Sequence, residues 1–351
     1  MRTEDFLRQV TALPGLSGNE GEVARFIAEA FRPYCDEVTI DPLNSVIGHI
    51  RGNGPKVMLC AHLDEIGLMV SDIEKDGSLR MRSVGGVDPR ILPGMRVTVY
   101  GRERLMGVIG AKAPHLLSAA DREKNYARED LYVDLGMSAQ RVRELVQIGD
   151  CIALEGGFTK LLNDRYASKT IDDRGCVAIL LRTMEALQRI DTQCWRSEEA
   201  DLYFVASCQE EVGSIGAMTS AYGIYPDFAV ALDVNHAKTP GSPDLETFDL
   251  GSPLATMGPF IHPMLRRRLG EIAKENNIAL QSAVAPRYTY TDADNIGLAL
   301  DGVPSVLLEL PLKYMHTSVE TFDMHALTEC ARLLTAYCAA IDDSWRDELW
   351  N

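Results

Sequence analysis

Three unbroken apolar runs, Val57-Met58-Leu59-Cys60-Ala61, Leu202-Tyr203-Phe204-Val205-Ala206 and Phe228-Ala229-Val230-Ala231-Leu232, punctuate the chain. Each is too short for a helix of its own and reads as a strand covered on both faces, the pattern of a parallel sheet. Between and around them the period changes to that of a helix. Cys176, Ile179, Leu180, Met184 and Leu187 fall on one stripe, and the stretch from Ala326 to Ile341 reads as a closing amphipathic helix. Near the start, Ser17-Gly18-Asn19-Glu20 fits a Ser-x-x-Glu capping box and predicts a helix carrying Val23, Phe26, Ile27 and Phe31, followed by a strand from Ser45 to Ile50.

From about Leu68 to Leu161 the texture differs. Short β-branched runs such as Arg96-Val97-Thr98-Val99-Tyr100, frequent glycines and turn clusters replace the longer alternation, which predicts a small β-rich unit. The pattern therefore places residues 68–161 as an insertion in an α/β domain assembled from residues 1–67 and 162–351. No internal repeat, low-complexity tract or long linker interrupts it.

Composition narrows the classes. A chain of 351 residues suggests about two cores, and 46% hydrophobic with 25% charged residues is ordinary globular usage. Net charge is 35 minus 51, or −16, without a block of like charges. That balance opposes nucleic acid and anionic membranes as partners, since both require a basic surface. The 8 cysteines (Cys35, Cys60, Cys151, Cys176, Cys194, Cys208, Cys330, Cys338) stand singly, with no Cys-x-x-Cys spacing, and read as small buried hydrophobes in a reducing compartment. Met1-Arg2-Thr3-Glu4-Asp5-Phe6-Leu7 lacks the features of a secretory signal, and no apolar run nears the ~18 residues of a membrane helix. A cytoplasmic protein is expected.

Chemistry concentrates where the apolar runs end. His62 and Asp64 follow the first run, two residues apart and so on one face of extended chain. They form either a local polar turn or a metal-binding imidazole with the carboxylate that orients it. Asp172-Asp173 precedes the helical stripe; the pair caps that helix, or one carboxylate bridges two cations. Glu210-Glu211 follows the second run, as a solvated acidic loop or as one metal ligand beside one proton carrier. Asp233 ends the third run, and His316 lies in Lys313-Tyr314-Met315-His316-Thr317, after Val306-Leu307-Leu308-Glu309-Leu310. In an open α/β sheet the crevice beyond the carboxyl ends of the strands is where ligands bind. The set thus points to one metal-dependent active site.

Taken in order, Pro14-Gly15-Leu16-Ser17-Gly18-Asn19-Glu20, Ala61-His62-Leu63-Asp64-Glu65-Ile66-Gly67, Asp172-Asp173-Arg174, Gln209-Glu210-Glu211-Val212-Gly213, Leu232-Asp233-Val234, Thr291-Asp292-Ala293 and Tyr314-Met315-His316-Thr317 resemble the M42 family of metallo-aminopeptidases, relatives of the tetrahedral aminopeptidases, over nearly the whole chain. The resemblance implies a mixed-sheet α/β metallopeptidase domain with an inserted small β-rich dimerisation domain, barrel-like or PDZ-like. It further implies two divalent metal ions, zinc foremost, with cobalt or manganese as alternatives. His62, Asp172 and Asp233 would hold one ion, and Asp172, Glu211 and His316 the other. Glu210 would be the general base and then acid, with Asp64 the partner of His62, and the Asp172-Asp173 peptide bond would be cis. Peptides would be the substrates, and dimers would build a hollow dodecamer. Lys112-Ala113-Pro114-His115 resembles a motif of the inserted domain, where His115 reads as structural. Lys313 stands where relatives often carry Arg, a change that bears on the substrate pocket because Lys lacks the planar fork. The competing readings are a carboxypeptidase or deacylase of similar architecture, and a non-catalytic peptide-binding assembly protein.

Overall fold

The structure, a computed structural model, describes residues 1–120, 122–190 and 200–349; Cys194 lies outside them. The main body is a mixed sheet of 8 strands. At its centre Asp201–Ser207, Lys56–His62, Phe228–His236 and Ser305–Leu312 run parallel, side by side in that order. Val46–Ile50 and then Glu37–Ile40 flank one side in antiparallel sense. On the other side Leu254–Met257 pairs antiparallel with Ser305–Leu312, and Gln281–Val284 closes the edge in parallel. Nearly every residue of the central strands is buried, which is why they read as continuous apolar runs rather than alternating ones.

Helices cover the sheet. Ile171–Leu187 packs on the strand Lys56–His62 and on the helix Met324–Ala339, and is buried on every face from Ile171 to Leu181. The Ser17 to Glu20 capping box does not form. The helix Gly21–Phe31 begins with Glu20 at its cap position but without a side-chain cap. Ser17 Oγ instead donates to Asp64 Oδ2 (2.6 Å), and Glu20 Oε1 accepts from the Gly18 N–H (2.6 Å). A buried, ionised carboxylate is a stronger acceptor for the hydroxyl than a helix end.

Two further boundaries differ from the sequence reading. Phe228–His236 continues past Asp233, because it stays in register with its neighbour through His236 opposite Leu312. In the β-rich stretch, Gly67–Ile73, Leu79–Val84, Leu131–Asp134, Arg104–Ala111, Arg96–Tyr100 and Cys151–Leu154 close into a barrel with its own apolar core, including Leu68, Val97, Val133 and Ile152. Closure removes the exposed edges that short strands would otherwise leave. Thr159–Lys160 has left the barrel and pairs with Arg165–Ser168, which joins Glu320–Asp323 of the main body. His115 is exposed in the single chain.

The described cysteines are free, and all but Cys35 are buried. No helix among the described residues is long and apolar enough to cross a membrane.

Candidate metal centre

Because the four central strands run the same way, their carboxyl ends open into one crevice. His62 is the last residue of its strand, Glu210 and Glu211 follow Ser207 by a short loop, Asp233 lies in the last half of its strand, and His316 sits four residues beyond Leu312. Asp172 enters from the first turn of the buried helix. That turn is irregular: Asp172 and Asp173 have non-helical φ/ψ, and the Asp172–Asp173 peptide bond is cis.

Asp172 stands between the two histidines. Its Oδ1 is 3.1 Å from His62 Nε2, and its Oδ2 is 3.1 Å from His316 Nε2. Glu211 Oε1 is also 3.1 Å from His316 Nε2, whereas Glu210 Oε2 is 4.0 Å from His62 Nε2. Two ligands held ~2.0–2.1 Å from one tetrahedral zinc-like ion stand roughly 3.3 Å apart, so these separations suit shared coordination. Donor atoms of His62, Asp172 and Glu211 lie within 4.8 Å of one another, and so do those of His62, Asp173 and Asp233. All seven residues singled out in the sequence therefore converge, and Asp173 joins them. Adjacency to Asp172 was the signal for Asp173, but chain spacing cannot say which carboxylate faces the crevice.

A second layer fixes these side chains. Asp64 Oδ1 is 3.4 Å from His62 Nδ1, and the Asp64 carboxylate accepts from Ser17 Oγ and from the backbone N–H groups of Glu210 (3.0 Å) and Glu211 (3.3 Å). One buried carboxylate thus orients the imidazole and the loop that carries both glutamates. Glu320, which the sequence reading passed over, does the same on the other side: its oxygens accept from the N–H groups of Ile171 (2.7 Å), Asp172 (3.1 Å) and His316 (2.9 Å). His316 Nδ1 lies 3.1 Å from the carbonyl of Gly86, a barrel residue. Donation to that carbonyl leaves the Nε2 lone pair facing Asp172 and Glu211. Deeper still, Asp292 Oδ2 accepts from Ser207 Oγ (2.6 Å), and Asp173 Oδ2 accepts from the His62 N–H (3.1 Å).

The electrostatics call for cations. Burial opposes charge on His62, but hydrogen bonds to Asp172 and Asp64 prevail and raise its pKa well above the usual value. For His316, burial is likewise overridden by Asp172 and Glu211, which lift it to about 11. Asp172 is driven the other way, below the usual carboxylate range, by hydrogen bonds from both histidines. Burial pushes Glu210 up to about 8, helped by Asp292, Glu211 and Asp172, and raises Glu211 and Asp233 as well. Carboxylates packed this closely ionise together only beside compensating positive charge. Imidazole nitrogens and carboxylate oxygens are the donors that borderline divalent ions take, so the residues fit such a pair.

A cavity of about 520 Å³ opens beside this cluster, bounded by the Phe228–His236, Leu254–Met257 and Ser305–Leu312 strands and by Ala283, Val284 and Ala285 at the sheet edge.

The chain matches the M42 glutamyl aminopeptidase family over residues 44–333. It is 35% identical to a lysyl aminopeptidase from Pyrococcus furiosus, over 95% of each chain. Among solved structures, an aminopeptidase from the archaeon Desulfurococcus kamchatkensis shares 33% identity at a TM-score of 0.91, covering 99% of this chain and 98% of that one. The TET1 peptidase of Pyrococcus horikoshii, which can assemble into a tetrahedron or a large octahedral shell, shares 30% identity at a TM-score of 0.83, covering 95% and 98%. Likeness of that extent, over a crevice whose donors suit divalent ions, has one reading: the chain belongs to the M42 family of metal-dependent aminopeptidases.

Proposed function

We propose that this enzyme removes residues from the free amino ends of short or unfolded peptides, using two divalent metal ions and Glu210 as proton carrier. The observation that carries this reading is Asp172, whose two oxygens each face a different histidine at 3.1 Å. His62, Asp172 and Asp233 would hold one ion, with Asp173 beside them, and Asp172, Glu211 and His316 the other. Zinc is favoured by the donors, with cobalt or manganese as alternatives. When bound, such a pair lowers the pKa of a water and polarises the scissile carbonyl.

The protein's own groups do the rest. Glu210 is placed to move a proton: its Oε1 accepts from Ser214 Oγ at 3.3 Å, its Oε2 lies 4.0 Å from His62 Nε2, and in the metal-free protein burial raises its pKa to about 8. It takes the proton of the attacking water as the new C–O bond forms. It then delivers that proton to the departing amine nitrogen as the C–N bond breaks, an exchange typically worth ~10²–10⁴-fold. Asp64 keeps His62 in one orientation and holds the N–H groups of Glu210 and Glu211, so the carboxylates meet the substrate in fixed positions.

The barrel fits the inserted dimerisation domain, taken as residues 68–161, and a tetrahedral dodecamer follows by likeness to TET peptidases. A hollow shell would admit unfolded peptides and exclude folded proteins. A cytoplasmic location belongs to the same reading. The names of the relatives, glutamyl and lysyl, are opposite in charge, so likeness alone does not choose the preferred first residue.

Hydrolysis of a panel of aminoacyl amides and their N-acetylated twins, by metal-depleted protein with zinc, cobalt or manganese restored, tests the reaction. Release confined to free amino ends, restored by metal and lost in Glu210→Gln, is expected. Equal cleavage of the acetylated twins would replace the aminopeptidase by a deacylase or endopeptidase.

A further inference from the structure

The wall of the 520 Å³ cavity is rich in carboxyl groups, with His62 and His316 at its metal-cluster end. Asp172, Glu210, Glu211, Asp233, Glu246 and Glu309 line it, and no lysine or arginine does so among the described residues. Three of these carboxylates are spoken for by the metal assignment, and Glu210 by proton transfer. Glu309 is not, and its setting is unusual: it is 3% exposed, in the middle of a strand where every other residue is apolar except the serine that opens it.

Its position is fixed by register. Glu309 pairs with Asp233 across parallel strands, so the two side chains leave the same face of the sheet, roughly 5 Å apart at the backbone. Asp233 points to the metal cluster and Glu309 to the neighbouring floor of the cavity. Glu309 Oε1 accepts from Asn235 Nδ2 (2.6 Å), and Oε2 from Thr256 Oγ (2.5 Å). Both donors are neutral. They clamp the carboxyl in one orientation and use one acceptor site on each oxygen, so further lone pairs remain. Arg266 acts on Glu309 only at a distance; its guanidinium is engaged with the Ala255 carbonyl (3.3 Å) and Ser282 Oγ (2.8 Å), and it does not line the cavity. An acid so deeply buried without a partner cation is costly to ionise, and burial raises its pKa to about 7, so it gains full charge only where something positive arrives. A site with an oriented carboxyl group of this kind, its remaining acceptor sites unfilled by a cation, discriminates strongly between ligands that complete it and ligands that do not.

We propose that Glu309 is the specificity residue of this cavity, and that the enzyme prefers substrates whose amino-terminal residue is Lys or Arg. The proposal rests on the aminopeptidase reading, in that the first side chain enters this cavity when its carbonyl meets the metal cluster. Acidic first residues are disfavoured, because their carboxylate would meet the Glu309 carboxyl at the cavity floor.

The test separates pocket from reaction. Calorimetry on metal-loaded Glu210→Gln protein compares lysinamide with norleucinamide, which has the same chain length without the ammonium. At least tenfold tighter binding of lysinamide is expected, the worth of one hydrogen bond to a charged partner. Adding Glu309→Gln, which keeps shape and removes charge, should collapse the ratio to within about threefold. Equal binding of the two amides to protein with Glu309 intact would overturn the proposal, whether or not the double variant folds. So would a preference that survives Glu309→Gln. A lysinamide preference in protein that hydrolyses no aminoacyl substrate would support the pocket and count against the reaction.

Discussion

The two halves of the metal cluster are built differently. The His62 half grows from the rigid sheet: His62 ends a central strand, Asp233 lies within another, and the His62 and Asp64 side chains are 2% and 0% exposed. The His316 half is made of loops. Its imidazole is 30% exposed, and its orientation depends on the carbonyl of Gly86, which belongs to the barrel. Asp172 is the only described side chain within ion-pair distance of both histidines. The difference teaches that burial and strand register supply permanence on one side, whereas the other side is adjustable and couples the barrel to the chemistry.

Breaking the shared element should have the largest effect. Asp172→Asn leaves each histidine without its common anion, and a fall in kcat of roughly 10³-fold or more is expected, with fewer than two ions retained by metal analysis. Glu210→Gln should lower kcat by ~10²–10⁴-fold while both ions stay bound, because it removes proton transfer and not coordination. Retention of activity there would remove Glu210 from the mechanism.

The asymmetry itself is sharpened by a matched pair. His62→Ala strands Asp64 and Asp172 in the interior, so the apoprotein should lose about 3 kcal/mol or more in urea unfolding. His316→Ala removes a partly solvated ion pair and should cost about 1 kcal/mol, while still abolishing the second ion. Equal losses would contradict the contrast between the halves.

Smaller effects probe the supports. Ser17→Ala takes away the 2.6 Å hydrogen bond to Asp64 and should weaken metal binding by about 10-fold, without change in pH optimum. At Gly86 an added methyl would sit 3.0 Å from His316 Nδ1. Gly86→Ala should therefore loosen the ion of the His316 half and leave its neighbour, a difference visible in stepwise chelation. Coupling between barrel and cluster would be refuted if both ions left together at unchanged affinity.

The pH dependence has a definite sign. Without metal, His316 holds its proton up to about pH 11, so an ion must displace that proton to bind near neutrality. Affinity should rise with pH from 6 to 9, with at least one proton released per ion in calorimetry across buffers. As a cation favoured by folding, His316 stabilises the apoprotein fully below its unfolded pKa of ~6.5, and that contribution fades as pH climbs toward 11.

Much of this was readable in the chain because the chemistry sits at strand ends. His62-x-Asp64 and Glu210-Glu211 announce themselves as polar pairs closing apolar runs, and the ordered motifs bring in Asp172, Asp233 and His316. What escaped reading depends on partners far away in sequence. Glu320 acts by receiving N–H groups from residues up to 149 positions distant, which no local pattern marks. Ser17 looked like a cap because the local rule favours one, yet a buried acceptor from 47 residues away captured its hydroxyl. Glu309 was passed over inside an apolar run, since only the pairing with Phe228–His236 reveals the cavity it faces.

The most direct test of the two-metal account is to titrate metal-free enzyme and its Glu210→Gln variant with zinc, following heat and turnover of an unblocked aminoacyl amide together. The account predicts two ions per chain in both proteins, with activity only where Glu210 is present and only after the second ion enters. Full activity at one ion per chain, or undiminished turnover in Glu210→Gln, would contradict it.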